Sequence, residues 1–395
     1  MFKPAILLTL AAAVAAKYCQ NITVPINISA RNGLFNIDPP RTEIEVTNFF
    51  LNFSKENSNY TQSVTDGVSP MEERRQSAAG VSADAGMQYK TIKGDYQLAA
   101  TYCEPDSGPG DALQILTHGV GFDRSYWDFP FDNYKYSYVN KAIDRGYSTL
   151  SWDRLGIGHS SHGDPVSEIQ IFLEIAALKK LTQQVKDGEI RCTKHKFKKI
   201  VHLGHSFGSA ITFALTNMYP AISDAIVLTG FSQVSSFIGL FALGGNFAPV
   251  REIPALKDQY VDGYVAPKTS IGMHINFFSP GDFDPRMLEA ATATGQPAAV
   301  GELLTVGSTG STSEFGGPVL VITGERDVPF CGGDCNNTMI IHGSAPNLIE
   351  MSKISFKKAS VFNATIVPGA GHGLNFQYSS VFTYKAILDF LKSHL

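Results

Sequence analysis

The chain reads as an α/β fold: a mostly parallel central sheet with helices on both faces and an inserted cap. Three observations predict it. From Met87 onward, short β-branched runs alternate with segments of helical spacing, the pattern of strand–helix crossovers in a sheet buried on both sides. Gly204-His205-Ser206-Phe207-Gly208 stands between one such strand and one such helix. The alternation stops between Phe231 and Gly317 and then resumes.

The elements follow in order. Met1-Phe2-Lys3 opens with a positive charge, Pro4 to Ala16 is apolar, and Ala13-Val14-Ala15 or Val14-Ala15-Ala16 offers small residues for cleavage. Residues 1–16 therefore read as a secretory signal peptide. Its thirteen apolar residues fall short of the ~20 that a membrane-spanning helix needs. No later apolar run reaches that length, so no integral membrane segment is expected, and the mature chain is expected outside the cell. Residues 17–86 form an N-terminal extension packed on the domain. Thr42–Leu51 alternates too poorly for a strand and is read as a helix. A Ser/Ala/Gly-rich stretch marks a tether at about 68–86.

The α/β domain spans 87–395. Tyr89–Tyr102 reads as a strand pair turned at Gly94-Asp95. Leu113–Thr117 and Tyr147–Trp152 are short strands. Ile171, Ile175, Leu178, Leu181 and Val185 recur at helical spacing and predict an amphipathic helix over 168–187. Lys199–Leu203 is a strand that leads through the glycine-flanked turn into a helix ending near Met218. Ala225–Thr229, Pro318–Thr323 and Ala364–Pro368 are strands, and Ser380–Leu395 closes with a helix. The Phe-, Gly- and Ala-rich stretch at about 231–317 falls between two sheet strands, which is the place for a cap over a site at the strand ends. A helical hairpin buried against the core is the plainer alternative.

Composition excludes several classes. Hydrophobic residues make up 44% and charged residues 17% of the 395, an ordinary globular balance rather than a disordered or fibrous one. The net charge is −4, and the basic run Lys194–Lys199 is too short for a nucleic-acid footprint, so no nucleic-acid partner is expected. Asn21, Asn27, Asn52, Asn59, Asn336 and Asn363 each begin an Asn-X-Ser/Thr sequon, which with the signal peptide points to a glycoprotein. In an oxidising compartment some of the five cysteines pair. Cys331 and Cys335, joined by Gly-Gly-Asp, suit a local disulfide. Cys19, Cys103 and Cys192 leave one pair and one orphan, and their spacing does not choose between them. No His/Cys set has zinc spacing, and Gly156-Ile-Gly158 is only a fragment of a dinucleotide fingerprint, so no cofactor or metal is expected.

Gly204-His205-Ser206-Phe207-Gly208 in its strand–turn–helix setting is a G-x-S-x-G nucleophile elbow. The turn lifts Ser206 clear of the sheet, and small neighbours are needed because the serine backbone is strained. With this motif the chain from about 87 to 395 resembles the α/β-hydrolase superfamily. The resemblance implies a Ser-acid-His order. His372 in Gly369-Ala-Gly-His-Gly373, after the last strand, matches the histidine loop. Asp327 in Thr-Gly-Glu-Arg-Asp-Val-Pro matches the acid loop, with Glu325 and Asp334 as rivals. His118-Gly119-Val120-Gly121 matches the loop that supplies an oxyanion donor, so the donors are the backbone N–H groups of Phe207 and Val120, with Gly121 next in line. His118 is read as a loop-fixing residue, His205 as packing at the elbow and His202 as a satisfied core residue. Asp153 and Arg154, in a turn resembling the one after the fourth family strand, are read as a structural pair. Tyr126 and Trp127 are read either as a pocket floor or as core aromatics.

A serine at the elbow separates the chain from the epoxide hydrolases and haloalkane dehalogenases of this fold, which carry aspartate there. Asn21–Asn32 and the Cys103-Glu-Pro segment are similar to a group of secreted fungal α/β hydrolases. The implied function is a secreted, esterase- or lipase-like serine hydrolase cleaving a small hydrophobic ester or lactone through an acyl-enzyme. One alternative is a hydrolase of secondary metabolites that cleaves or forms a polyketide ester or lactone. Another is a catalytically silent binding glycoprotein.

Overall fold

The computed structural model describes residues 17–65, 88–193, 195–234 and 236–395, with the side chains of 56–65 excepted. The expected signal peptide and the tether at about 68–86 lie outside the described residues, as does the side chain of Asn59.

In chain order the first elements are β1 (Lys17–Gly33), α1 (Glu43–Thr65), β2 (Tyr89–Pro105), β3 (Ala112–Thr117), α2 (Tyr138–Ile143) and β4 (Ser148–Trp152). Then come α3 (Ile171–Asp187), β5 (Lys199–His205), α4 (Phe207–Met218) and β6 (Ala225–Thr229). The stretch after β6 holds α5 (Ile238–Gly244), β7 (Phe247–Pro249), β8 (Tyr264–Pro267), α6 (Ser270–Phe277), α7 (Pro285–Ala293), β9 (Ala298–Ala299) and α8 (Val300–Thr305). The chain ends with β10 (Val319–Gly324), α9 (Val328–Cys331), β11 (Phe362–Val367) and α10 (Ser380–His394).

Among the described residues, eight strands form one sheet in the order β1-β2-β4-β3-β5-β6-β10-β11, and β7-β8-β9 form a small separate sheet. Among the described residues β2 alone runs opposite to the other strands of the large sheet. The helices cover both faces. Register pairs Gln114 with Val201 and Ile115 with His202, so Gln114 and His202 point to opposite sides. Tyr138 of α2 donates to Gln114, and Thr182 of α3 bonds His202. β4, β6 and β10 are buried along their whole length, as expected where helices close both faces.

The helical stripe in α3 is buried at Ile171, Ile175, Leu178, Leu181 and Val185. The helix begins at Ile171 rather than 168 because the preceding Gln170 side chain exchanges hydrogen bonds with Gly33 of β1. It stops at Gly188, whose φ is +73°.

The turn expected at Gly94-Asp95 does not form. β2 runs straight through, with Gly94 opposite Ile28 and Asp95 opposite Asn27. The Gly-Asp signal is local, whereas β1 supplies a seventeen-residue antiparallel partner that satisfies every ladder position through the would-be turn. β1 is thus the edge strand of the large sheet. Its Val24, Ile26 and Ile28 point inward while Thr23, Pro25, Asn27 and Ser29 face out. Pro25 is tolerated because an edge strand leaves one side unpaired.

α1 carries Val46, Phe50 and Phe53 as a buried stripe. Phe50 stacks on Phe247 of β7 with ring centroids 4.4 Å apart. The segment between β1 and β2 therefore packs on the stretch between β6 and β10, not only on the sheet.

Two disulfides form. Cys331–Cys335 is the local one. Cys19 joins Cys103, directly opposite it in the β1–β2 register, and Cys192 is left free and half-buried. Replacing Cys19 and Cys103 together by alanine removes a cross-link across 84 residues. The unfolding free energy is expected to fall by about 2–4 kcal/mol, read as a lower urea midpoint with an unchanged far-UV circular dichroism spectrum. An unchanged midpoint would show that the ladder alone holds the edge strand.

Candidate active site

Parallel strands aim their C-terminal ends at one edge of the sheet, and four of the loops there meet. The first follows β5. Ser206 has φ 55° and ψ −117°, a conformation that costs a non-glycine residue on the order of 1–3 kcal/mol. Neighbouring structure enforces it. Ser206 N–H donates to Thr229 O of β6 at 2.9 Å, and the same carbonyl accepts from Ser209 Oγ at 2.8 Å. α4 begins immediately, with Ser209 and Ala210 donating to Ser206 O. Gly208 has no alternative: a Cβ there would lie 2.3 Å from Thr117 O.

The loop after β3, His118-Gly119-Val120-Gly121, crosses the elbow. A Cβ on Gly119 would stand 2.8 Å from Ser206 Cβ, so only glycine permits this approach. The Val120 and Phe207 backbone N–H groups make no hydrogen bond among the described residues. His118 is fully buried. Its Nδ1 donates to Gly119 O at 2.8 Å, and its Nε2 accepts from Arg154 N–H at 3.0 Å. This bonding defines a neutral tautomer. Burial, and then the Arg154 charge, hold its pKa well below the usual range.

The last two loops follow β10 and β11. His372 Nδ1 lies 2.7 Å from Asp327 Oδ2, both side chains fully buried. Asp327 is fixed by two further donors: Phe330 N–H to Oδ1 at 2.8 Å and Thr323 Oγ1 to Oδ2 at 2.5 Å. The rivals for the acid position are elsewhere. Glu325 accepts from Gly369 N–H, and Asp334 is exposed and accepts from Asn336 N–H. Among the described residues His372 Nε2 is buried without a hydrogen-bond partner, so it is not bonded to Ser206 Oγ. A Cβ on Gly230 would meet both His205 Cε1, at 2.7 Å, and His372 Cε1, at 2.9 Å. The imidazole of His372 is thus packed against the residue that precedes Ser206.

His205 bonds Thr229 through an Nδ1–H. Thr229 Oγ1 donates to Gly204 O, so it can only accept from His205 Nδ1, 3.1 Å away. Burial first, then the nearby His372, lower its pKa well below the usual range. His372 is therefore the imidazole beside Ser206 whose bonded Nδ1 is backed by a carboxylate. His202 is a satisfied core residue, bonded to Thr182 and Ser223.

Aromatic rings wall the site. His372 has Phe277 of α6 at 5.6 Å, Phe330 at 5.7 Å and His205 at 4.8 Å between centroids. Tyr126 stacks on His205 at 4.3 Å, while Trp127 packs into the core against Tyr138. Gly373 N–H donates to Phe277 O at 2.7 Å, which pins the histidine loop under α6. Phe277 belongs to the stretch expected as a cap; its contact with His372 was not legible in the sequence.

Asp153 and Arg154 do not pair with each other. Asp153 binds Arg124 and accepts from His159 N–H. Arg154 is fully buried between Glu174 of α3, at 2.7 Å, and Glu302 of α8. Burial pushes the Glu174 carboxyl well up from its usual range. These partners are 20 and 148 residues away, and nothing local in the sequence announces them.

The sequence matches the profile of the alpha/beta hydrolase family over residues 114–382. No curated protein matches it. Among solved structures it is similar to a thermophilic esterase from Thermogutta terrifontis, with a TM-score of 0.52 and 17% identity over 76% of this chain and 96% of that one. It is also similar to an enol-lactonase from Burkholderia xenovorans, with a TM-score of 0.50 and 15% identity over 75% and 97%. An epoxide hydrolase from Vigna radiata aligns with a TM-score of 0.49 and 14% identity over 75% and 95%. At these identities the likeness is one of fold. The sequence match covers more than half of the 395 residues, and the large, mostly parallel sheet agrees with it: the chain belongs to the alpha/beta hydrolase family.

Proposed function

We infer that this hydrolase is a serine esterase or lactonase, with Ser206 as nucleophile, His372 as base and Asp327 as the group that orients it. The observation that carries the reading is the pairing of a strained, glycine-flanked Ser206 with an imidazole whose Nδ1 is held by a buried carboxylate and whose Nε2 is unpartnered. The esterase and enol-lactonase neighbours share only the fold, so the reading rests on these residues.

The chemistry follows from the atoms. His372 Nε2 takes the proton of Ser206 Oγ as the oxygen attacks the acyl carbon. The carbonyl oxygen gains the electron pair and is held by the N–H groups of Phe207 and Val120. The tetrahedral species collapses, the C–O bond to the alcohol breaks, and His372 returns the proton to the leaving oxygen. Water then repeats the sequence on the acyl-serine and releases the acid. Asp327 holds the ring in the Nδ1–H tautomer and stabilises it when charged. The stretch from 231 to 317 serves as a cap, and the phenylalanine wall over His372 favours an apolar acyl or aromatic group.

The chain is further proposed to be a secreted glycoprotein. Two disulfides suit an oxidising compartment. Asn21, Asn27, Asn52, Asn336 and Asn363 are exposed. Asn21 and Asn27 lie on the outward face of the edge strand β1, where a glycan would block pairing with another chain. Among the described residues no helix is long and apolar enough to cross a membrane.

Two predictions follow from this reading. On a series of p-nitrophenyl esters of increasing acyl length, Ser206→Ala and His372→Ala are each expected to lower kcat by several orders of magnitude with an unchanged melting temperature. A Ser206→Ala enzyme that turns over at the wild-type rate ends the assignment. An inactive wild type that still reacts with a fluorophosphonate at Ser206 moves the substrate search to lactones. Peptide N-glycosidase treatment of protein secreted by a eukaryotic host is expected to lower its mass and convert occupied asparagines to aspartate. No mass change would remove the glycoprotein reading.

A further inference from the structure

The geometry points to Arg154 and His118 as positioning residues that aim the Val120 N–H into the oxyanion site; this rests on the reading of Val120 as an oxyanion donor. The argument begins with the Gly119–Val120 peptide. Its carbonyl belongs to Gly119 and its N–H to Val120, and in a planar trans unit the two point in opposite directions. Fixing the carbonyl therefore fixes the N–H.

The carbonyl is fixed twice. His118 Nδ1 donates to Gly119 O at 2.8 Å, and Arg154 Nη2 donates to the same oxygen at 3.4 Å. His118 is itself held, because its Nε2 accepts the Arg154 backbone N–H. Arg154 thus grips this peptide through its own backbone and its guanidinium. Drawing the carbonyl toward the buried cation leaves the Val120 N–H on the opposite side of the peptide plane. The two donors also polarise the amide, which strengthens the N–H as a donor.

The same guanidinium reaches the other half of the site. It lies 4.7 Å from the centroid of the Phe207 ring, and Phe207 carries the second proposed oxyanion donor. One cation therefore contacts the peptide carbonyl that precedes one proposed donor and the side chain of the residue that carries the other. It stays outside the site proper, with a fully buried side chain held by Glu174 and Glu302. Glu302 Oε2 in turn accepts the Ala299 N–H at 2.5 Å. Ala299 and Glu302 belong to the stretch between β6 and β10, so the position of that stretch is tied to the oxyanion loop through Arg154.

Arg154→Lys keeps a positive charge but loses the fork that reaches Glu174, Glu302 and Gly119 O together. It is tested on a matched pair: a p-nitrophenyl ester and the thionoester in which sulfur replaces the carbonyl oxygen. Sulfur is a weak hydrogen-bond acceptor, so the thionoester draws little on the oxyanion donors. The expected result is a fall in kcat/KM of at least about tenfold for the ester, mostly in kcat, against less than about twofold for the thionoester. Losing a whole donor would cost ~10²–10³ in kcat, which bounds the effect from above. His118→Phe removes the other carbonyl donor while keeping a ring, and is expected to show the same selective loss. It reads the proposal independently if the lysine variant does not fold.

Equal losses on both substrates would overturn the proposal, because they would show that Arg154 and His118 only support the fold. No loss in either folded variant would overturn it too. Failure of the underlying reading looks different: the wild-type enzyme itself would then show no preference for the ester over the thionoester, or Ser206→Ala would remain active.

Discussion

Everything at the site depends on one strained residue. Ser206 holds a backbone conformation that a free chain would leave, and two hydrogen bonds to the Thr229 carbonyl, one from Ser206 N–H and one from Ser209 Oγ, hold it there. That carbonyl is at the end of β6, whose register against β5 places Thr229 beside His205. The strain is thus maintained by the parallel ladder and by the start of α4. The glycines at 119 and 208 are the other side of the same constraint. With the serine raised, neighbouring backbones come so close that no Cβ fits.

Around that residue, charge is handled by burial and pairing. A buried charge is costly unless it is paired and hydrogen-bonded. Asp327 meets the requirement with His372, Thr323 and Phe330. Arg154 meets it with two glutamates, and burial raises the carboxyl pKa of one of them, Glu174. Breaking such a cluster is costly even where forming it is near neutral. That asymmetry fits the positioning role proposed for Arg154, which calls for a group that is hard to disturb rather than strongly stabilising.

The stretch between β6 and β10 is secured from two sides. From beneath, Glu302 reaches Arg154. From outside, α1 lays Phe50 on Phe247, and Lys268 pairs with Glu43 and Glu252 at the surface. The aromatic contact is the more durable of the two, because water and salt screen exposed ion pairs. The N-terminal segment therefore joins the edge of the large sheet, through β1, to the layer above its strand ends, through α1.

The residues expected at the site were legible because their signals are local. An elbow needs glycines two residues either side of the serine, and a histidine loop needs small neighbours just after a strand. Ser206, Asp327 and His372 could thus be picked out as candidates from short strings, and most of the parallel strands and the α3 helix from periodicity. What stayed hidden involves partners far away along the chain. Gly94-Asp95 has the composition of a turn, yet it lies mid-strand because β1, some 68 residues earlier at Asn27, supplies the ladder. The spacing of Cys19, Cys103 and Cys192 left the pairing open, and only the β1–β2 register put Cys19 opposite Cys103. Asp153 and Arg154 looked like neighbours in a turn, but tertiary structure sent one to Arg124 and the other to Glu174 and Glu302. Neighbours within a few residues account for most of the parallel strands, for α3 and for the candidate reactive side chains; β1 is the exception, because it is a strand by virtue of its pairing with β2. Tertiary structure alone decided register, disulfide pairing and the partners of buried charges, because each depends on which distant segments exclude water from one another.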